Sequence, residues 1–416
     1  MRAQSWTEDQ KGYGFMGEIW TFHSAGEILF GRGAAGQVGE VASRIGIQRV
    51  LIVTDKPLVA AGIVAGVEES LHKAGASVEI FEGGEPEPSL EAGQACIDRL
   101  AECQADGIVG LGGGSNMDLA KAAAAVAAHG GTIRDYLGDG EVPGPVLPLI
   151  CLPTTAGTGS EVTFAAVLTD TQNQIKVPIL SNYIRPAVAI VDPELTLTCP
   201  RKVTAESGID ALTHAIEAYT AIDHGKFPLP AGERSVYQGS NPLTDSLASK
   251  SIALIGENLR VAVEEPENLA AREGMALGAT IAGLAFANSG VALVHALQAA
   301  VGGATHSAHG AGNGLLLPHV MRFNLPACLP RFARIAQLLG CELDGLSEEE
   351  QAQEAIGAVQ ELSRDIGIPQ RLSELGLSAE QIPTVAAKGF LAQRILRVNP
   401  RGITQQQMED LLNEAL

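Results

Sequence analysis

Gly208-Ile209-Asp210-Ala211-Leu212-Thr213-His214-Ala215-Ile216-Glu217 decides how the second half of this chain is read. Nothing after Gly208 in this stretch breaks a helix, so it reads as continuous helix. Asp210 and His214 stand four residues apart, one turn above each other on one face. A carboxylate and an imidazole converging on one point make half of a divalent metal site. Taken alone, the pair reads better as an incidental i,i+4 hydrogen bond.

Two further segments change that balance. Val294-His295-Ala296-Leu297 sits in an apolar helical run, where a buried imidazole needs a partner. Thr305-His306-Ser307-Ala308-His309-Gly310 adds two more imidazoles in a short turn. The residues by themselves leave His306 and His309 as equal candidates. One carboxylate with three neutral imidazoles suits a borderline divalent ion, Fe(II) or Zn(II). Open positions on such an ion would hold a substrate oxygen.

Before Pro200 the texture is different. Gln48 to Asp55 reads as a buried strand, Pro57 to Ala74 as helix, and Ser77 to Phe81 as strand. Ser89 to Cys103 reads as helix, Gly107 to Leu111 as strand, and Asn116 to Ala128 as helix. Val146 to Leu152, Val162 to Thr169 and Ala187 to Val191 continue the β-rich part, and Trp20 to Phe30 suggests an early strand or hairpin. This alternation predicts a parallel, Rossmann-like sheet covered on both faces. From Ala205 onward only helices are expected. The expected division is an extension over 1–18, an α/β cofactor-binding domain over 19–200 and a helical metal-binding domain over 201–416.

Gly112-Gly113-Gly114-Ser115 falls between a strand and a helix, where free N–H groups and the helix dipole favour a pyrophosphate. It is not the usual dinucleotide fingerprint, because it follows the third strand rather than the first. Asp55 ends the first strong strand, where a carboxylate accepts from ribose hydroxyls and repels a 2′-phosphate; this predicts NAD over NADP. A helix cap is its plain alternative. Thr154, Thr155, Thr158 and Ser160 line a second strand-end loop suited to phosphate or nicotinamide contacts, and Lys176 is a further candidate cation there.

Composition narrows the function classes. With 416 residues, 46% of them hydrophobic, the chain has ample material for two cores. A net charge of −20 repels phosphate backbones and excludes nucleic acid or an anionic membrane as the expected partner. Six scattered cysteines read as free thiols, and no segment reads as an export signal or a membrane span. A cytoplasmic location is expected.

Four motifs in order resemble the iron-containing (group III) alcohol dehydrogenases. They are Gly112-Gly113-Gly114-Ser115-x-x-Asp118-x-x-Lys121, Pro153 to Glu161, Gly208 to Glu217, and His295 through Leu317-Pro318-His319. The resemblance implies a dehydroquinate synthase-like architecture and a ligand set of Asp210, His214, His295 and His309, which selects His309 over His306. It also implies cofactor contacts at Asp55, Gly112 to Ser115, Asp118, Thr154, Thr155, Thr158, Ser160 and Lys176. The implied activity is NAD- and Fe(II)-dependent interconversion of a small alcohol, or a hydroxy acid, with its carbonyl, in a homodimer or larger homo-oligomer. Ala299 replaces a histidine that many members carry. Asp223 to Asn241 reads as a long loop, and Tyr237 to Asp245 at its end resembles a segment of the hydroxyacid–oxoacid transhydrogenase branch, so Arg234 in the loop is a candidate for reading a substrate carboxylate. A transhydrogenase that retains its nicotinamide is therefore one rival. A lyase resembling dehydroquinate synthase and a non-catalytic metal-binding protein are the others.

Overall fold

The computed structural model describes residues 19–173, 175–230 and 233–416. The expected extension over 1–18, and Gly232 of the loop, lie outside the described residues.

In chain order the first half contains β1 (Glu27–Phe30), α1 (Val38–Arg44), β2 (Arg49–Val53), α2 (Lys56–Ala60), α3 (Ile63–Lys73) and β3 (Ser77–Phe81). Then come α4 (Leu90–Cys103), β4 (Gly107–Gly112), α5 (Gly114–His129), β5 (Gly138–Asp139), β6 (Leu149–Pro153), β7 (Ala165–Asp170), β8 (Ile175–Leu180) and β9 (Val188–Val191). The main sheet has the order β1-β9-β6-β4-β2-β3, and every pairing in it is parallel. Its central strands are apolar throughout because both faces are buried: Leu51 and Ile108 pack on one side, Ile52 and Val109 on the other. The chain runs outward from β2 to β3 and then returns to β4 on β2's other side. The strand order therefore reverses between β2 and β4, and the ligand crevice of an open α/β sheet lies beyond the carboxyl ends of such strands. Asp55 and the glycine run stand there.

Three expectations are corrected. The early hairpin does not form: only Glu27–Phe30 is strand, and it pairs with β9 from far along the chain. The preceding residues bond elsewhere, Thr21 N to Gln238 Oε1 and His23 N to Asn288 Oδ1. The helix expected over 57–74 is split at Gly62, whose φ of 77° is left-handed. A second sheet, β5-β8-β7, was not expected as a separate layer. Pro178 lies inside β8, where β5 pairs only with Ile179 and Leu180, so the proline has no strand on that side.

The second half is helical among the described residues: α6 (Arg201–Thr220), α7 (Pro242–Glu264), α8 (Leu269–Ser289), α9 (Leu293–Thr305), α10 (His309–Leu338), α11 (Glu348–Asp365), α12 (Ile382–Phe390), α13 (Gln393–Leu396) and α14 (Gln405–Glu414). The helix α6 is the axis of this half. Its Ile209, Leu212 and Ile216 join α7, α8, α9 and α10 in one core. Because α6 is enclosed on nearly every side, its polar residues Asp210, Thr213, His214 and Glu217 are buried too, and each must find a partner. No single helix among the described residues is long and apolar enough to cross a membrane.

Candidate metal and cofactor site

Asp210 and His214 project from one face of α6, His295 from α9, and His309 from the first turn of α10. Ligand atoms of Asp210, His295 and His309 all lie within 4.8 Å of one another. Asp210 Oδ1 is 3.8 Å from His295 Nε2 and 3.7 Å from His309 Nε2. His214 stands beside this trio rather than within it, with Nδ1 3.9 Å from Asp210 Oδ2. Its ring is stacked between Phe286 and His295, at centroid distances of 4.2 and 4.6 Å. His306 is exposed and in the left-handed region at φ 55°, ending α9, so it is not part of the set.

The electrostatics suit a cation. Burial acts to raise the Asp210 pKa, but the facing His214, His309 and His295 outweigh it and keep the carboxylate ionised. Burial pulls His214 down to about 4. Burial also lowers His309, although 39% of that side chain is exposed. His295 is raised: burial opposes this, but the Glu217 carboxylate prevails. Its Nδ1–H donates to Glu217 Oε2 at 2.6 Å, which leaves Nε2 to face Asp210 with its lone pair. His214 Nδ1 is buried with no hydrogen-bond partner. An orphaned ring nitrogen beside an ionised carboxylate and two further ring nitrogens fits a divalent ion.

Glu217 and Asn313 are the residues that sequence reasoning left without a role. Glu217 also accepts from the Ala292 and Val294 backbone N–H groups, at 2.7 and 2.6 Å, so it ties the start of α9 to α6. Its signal was present: it follows His214 by three residues on a helix too apolar to carry an idle carboxylate. Asn313 lies one turn beyond His309, and nothing in the sequence marked it.

The cofactor candidates converge less uniformly. Asp55 caps α2 through the Leu58 N–H, and its other oxygen accepts from Asn116 Nδ2 at 2.8 Å. Thus the helix-cap alternative is realised. Carboxylate lone pairs remain for a ribose. The glycine run is needed for close approach: a Cβ at Gly114 would stand 2.8 Å from Thr158 Cγ2, and one at Gly112 2.2 Å from Asn116 Nδ2. Gly113, Gly114, Ser115, Thr155 and Thr158 are half-buried at the crevice, whereas Thr154 is buried.

Asp118 and Ser160, expected at the cofactor, are bonded to each other. Asp118 accepts from Ser160 Oγ and from the Val167 N–H, and Lys121 Nζ, fully buried, donates to Ser160, Thr163 and the Ala165 carbonyl. Their polar atoms are spent fixing one loop against α5, because buried charges must pair with something. Lys176 donates to Glu87 at 2.6 Å, and its charge contributes, after burial, to lowering His309.

The two halves meet closest along the second strand-end loop. A Cβ at Gly157 would stand 2.6 Å from Ser207 Cβ on α6, and one at Gly159 2.6 Å from Gly283 Cα on α8. The Gly157 backbone acts to raise the His214 pKa against the stronger effect of burial. The cofactor loop therefore lies directly on the helix that carries the candidate ligands. Arg234 is exposed, and its side chain lies beside Gly140. The rest of its loop is stitched to α8 and the early chain by Gln238 and Gly239 N–H bonds and by Gln238–Thr21 contacts.

An α/β sheet with a cofactor crevice above a buried carboxylate–imidazole centre defines a metal-assisted nicotinamide oxidoreductase. The family model for iron-containing alcohol dehydrogenase matches residues 25–193, and the C-terminal model of the Fe-containing alcohol dehydrogenase family matches 231–416. The chain is 40% identical over 388 residues to the NAD-dependent methanol dehydrogenase of Bacillus methanolicus, covering 93% of this chain and 97% of that one. It is 40% identical over 392 residues to the 1,3-propanediol dehydrogenase of Klebsiella pneumoniae, covering 93% and 96%. A crystal structure of 1,3-propanediol oxidoreductase superposes with a TM-score of 0.90 at 38% identity, covering 96% of this chain and all of that one. The chain belongs to the iron-containing alcohol dehydrogenase family. It is a metal-containing, NAD-dependent oxidoreductase acting on CH–OH groups.

Proposed function

We propose that this enzyme interconverts a small, uncharged primary alcohol or diol with its aldehyde, with Asp210, His214, His295 and His309 holding Fe(II). The observation that carries this reading is the contact of the Gly157 loop with α6, which puts the nicotinamide-side loop on the metal helix. When bound there, the ion supplies Lewis acidity to the alcohol oxygen, while the nicotinamide takes the hydride. Asp210 contributes the negative charge. Glu217 fixes the His295 tautomer, and Phe286 covers the inner face of His214 against water. Asp55, Gly112 to Ser115, Thr154, Thr155, Thr158 and Lys176 orient the cofactor. Ala299, exposed where many members of the family carry a histidine, has no titratable group and would hold no proton there.

We take 19–200 as the cofactor-binding domain and 201–416 as the metal-binding domain, in a dehydroquinate synthase-like architecture. A cytoplasmic homo-oligomer is the accompanying expectation. The activities of these relatives, on methanol and on 1,3-propanediol, support a small alcohol as substrate. Hydroxy acids are disfavoured because Arg234, the cation offered for a carboxylate, lies beside Gly140. The test is a panel of short alcohols, diols and hydroxy acids with Fe(II)-loaded protein and NAD. Reduction of NAD by the uncharged alcohols is expected. Turnover of a hydroxy acid with 2-oxoglutarate and no added NAD would replace this reading with the transhydrogenase one.

A further inference from the structure

Asn313 is fully buried, and its amide nitrogen stands where three ligand atoms converge. Nδ2 is 2.6 Å from Asp210 Oδ1, 3.1 Å from His309 Nε2 and 3.2 Å from His295 Nε2. These ligands arrive on α6, α10 and α9, so one amide touches three helices at their functional atoms. The short bond to an ionised carboxylate is the strongest of the three. It also settles which way the amide faces, since the reverse orientation would press Oδ1 against a carboxylate oxygen. As a result Asn313 Oδ1 is buried with no partner. A buried amide with an orphaned oxygen is a costly way to fill space, and an apolar side chain of similar shape would fill it without that cost. Its packing role therefore does not explain it.

We infer that Asn313 is a positioning residue for the metal centre: it sets the rotation of the Asp210 carboxylate and draws the His295 and His309 nitrogens toward it. With a cation among the ligands, the Asp210 bond persists, because a carboxylate oxygen has a second lone pair. The two imidazole contacts yield, because an N–H and a cation cannot share one lone pair. Asn313 sits four residues after His309 on the same face of α10, so the histidine and its orienting amide move as one body.

This inference rests on the metal reading above, and the experiment separates the two. The full chain is stripped with a chelator and titrated with Co(II) against a coloured competing chelator, and its visible absorption band is recorded. Asn313→Leu and Asn313→Ala are compared with the unmodified protein. The expected result is a Kd for Co(II) raised tenfold to a hundredfold in whichever variants fold, as for other outer-shell partners of metal ligands, with a changed Co(II) band. If a folded variant binds Co(II) within threefold of the unmodified protein and shows the same band, Asn313 is merely structural and the inference is overturned. If both variants fail to fold, isotope-edited infrared spectra of the unmodified protein with labelled asparagine amides, recorded before and after Co(II) addition, decide. A shift of a buried amide band on Co(II) addition supports the inference, and an unchanged spectrum overturns it. Failure of the unmodified protein to bind Co(II) at all would instead remove the metal reading itself.

Discussion

Replacing Glu217 by glutamine tests whether the centre is built from behind. Glu217 receives three donors, Ala292 N–H, Val294 N–H and His295 Nδ1–H, all between 2.6 and 2.7 Å. Glutamine keeps one acceptor oxygen and turns the other into a donor. In its better orientation the oxygen serves Ala292 and His295, and the NH2 faces the Val294 N–H. One charge-assisted bond is lost, worth about 1.5–3 kcal/mol, and two donors are left opposed. In its worse orientation two bonds are lost. The negative charge that keeps the His295 proton on Nδ1 also disappears, so the Nε2 lone pair becomes a poorer donor. Loss of an outer-shell carboxylate typically weakens metal binding about 10–100-fold, or about 1.4–2.7 kcal/mol. The assay is metal affinity by chelator competition beside kcat/KM for the preferred alcohol. Both are expected to fall, with the melting temperature of the stripped protein falling too. Unchanged affinity, with a loss in melting temperature alone, would show that Glu217 braces α9 without tuning the centre.

Asp210→Ala and His309→Ala are each expected to abolish turnover and deplete bound metal, measured by elemental analysis, whereas His306→Ala leaves both near normal because His306 is exposed at the end of α9. The enzyme should prefer NAD to NADP, and Asp55→Gly should narrow the ratio of kcat/KM values. Glycine is a fair substitute at a helix N-cap, so only a few tenths of a kcal/mol of stability should be lost with it; equal use of both cofactors by the unmodified enzyme would discard the charge argument. Acid should destabilise the β-rich half through Asp170, whose pKa is depressed first by its Arg134 hydrogen bond and next by Asn173. A depressed carboxylate gives its full stabilisation above the unfolded pKa of about 3.9 and loses it as pH falls further. Asp170→Asn should therefore flatten the acid limb of thermal melts below about pH 4, and an unchanged limb would refute the pairing.

What the sequence by itself determined was local. Alternating apolar strands and helices, a glycine run at a strand end, and a carboxylate and histidine four apart are all periodic signals within one element. They placed most of the main sheet, the change of texture at Pro200 and the candidate ligands. The early segment was left as strand or hairpin because β1 finds its partner in β9, a pairing that no local pattern records. The second sheet escaped because β5, two residues long, pairs with β8 some forty residues later, which no local pattern records. Tertiary structure alone decided how the candidates sort. Asp118 and Ser160 turned inward because Lys121 is buried beside them and its charge had to be met. Gln238 and Gly239 of the loop were drawn to the end of α8, and Gln238 to Thr21 of the early chain. Glu217 and Asn313 acquired roles only when α6, α9 and α10 came together, since a second layer of hydrogen bonds exists only between elements far apart in the chain.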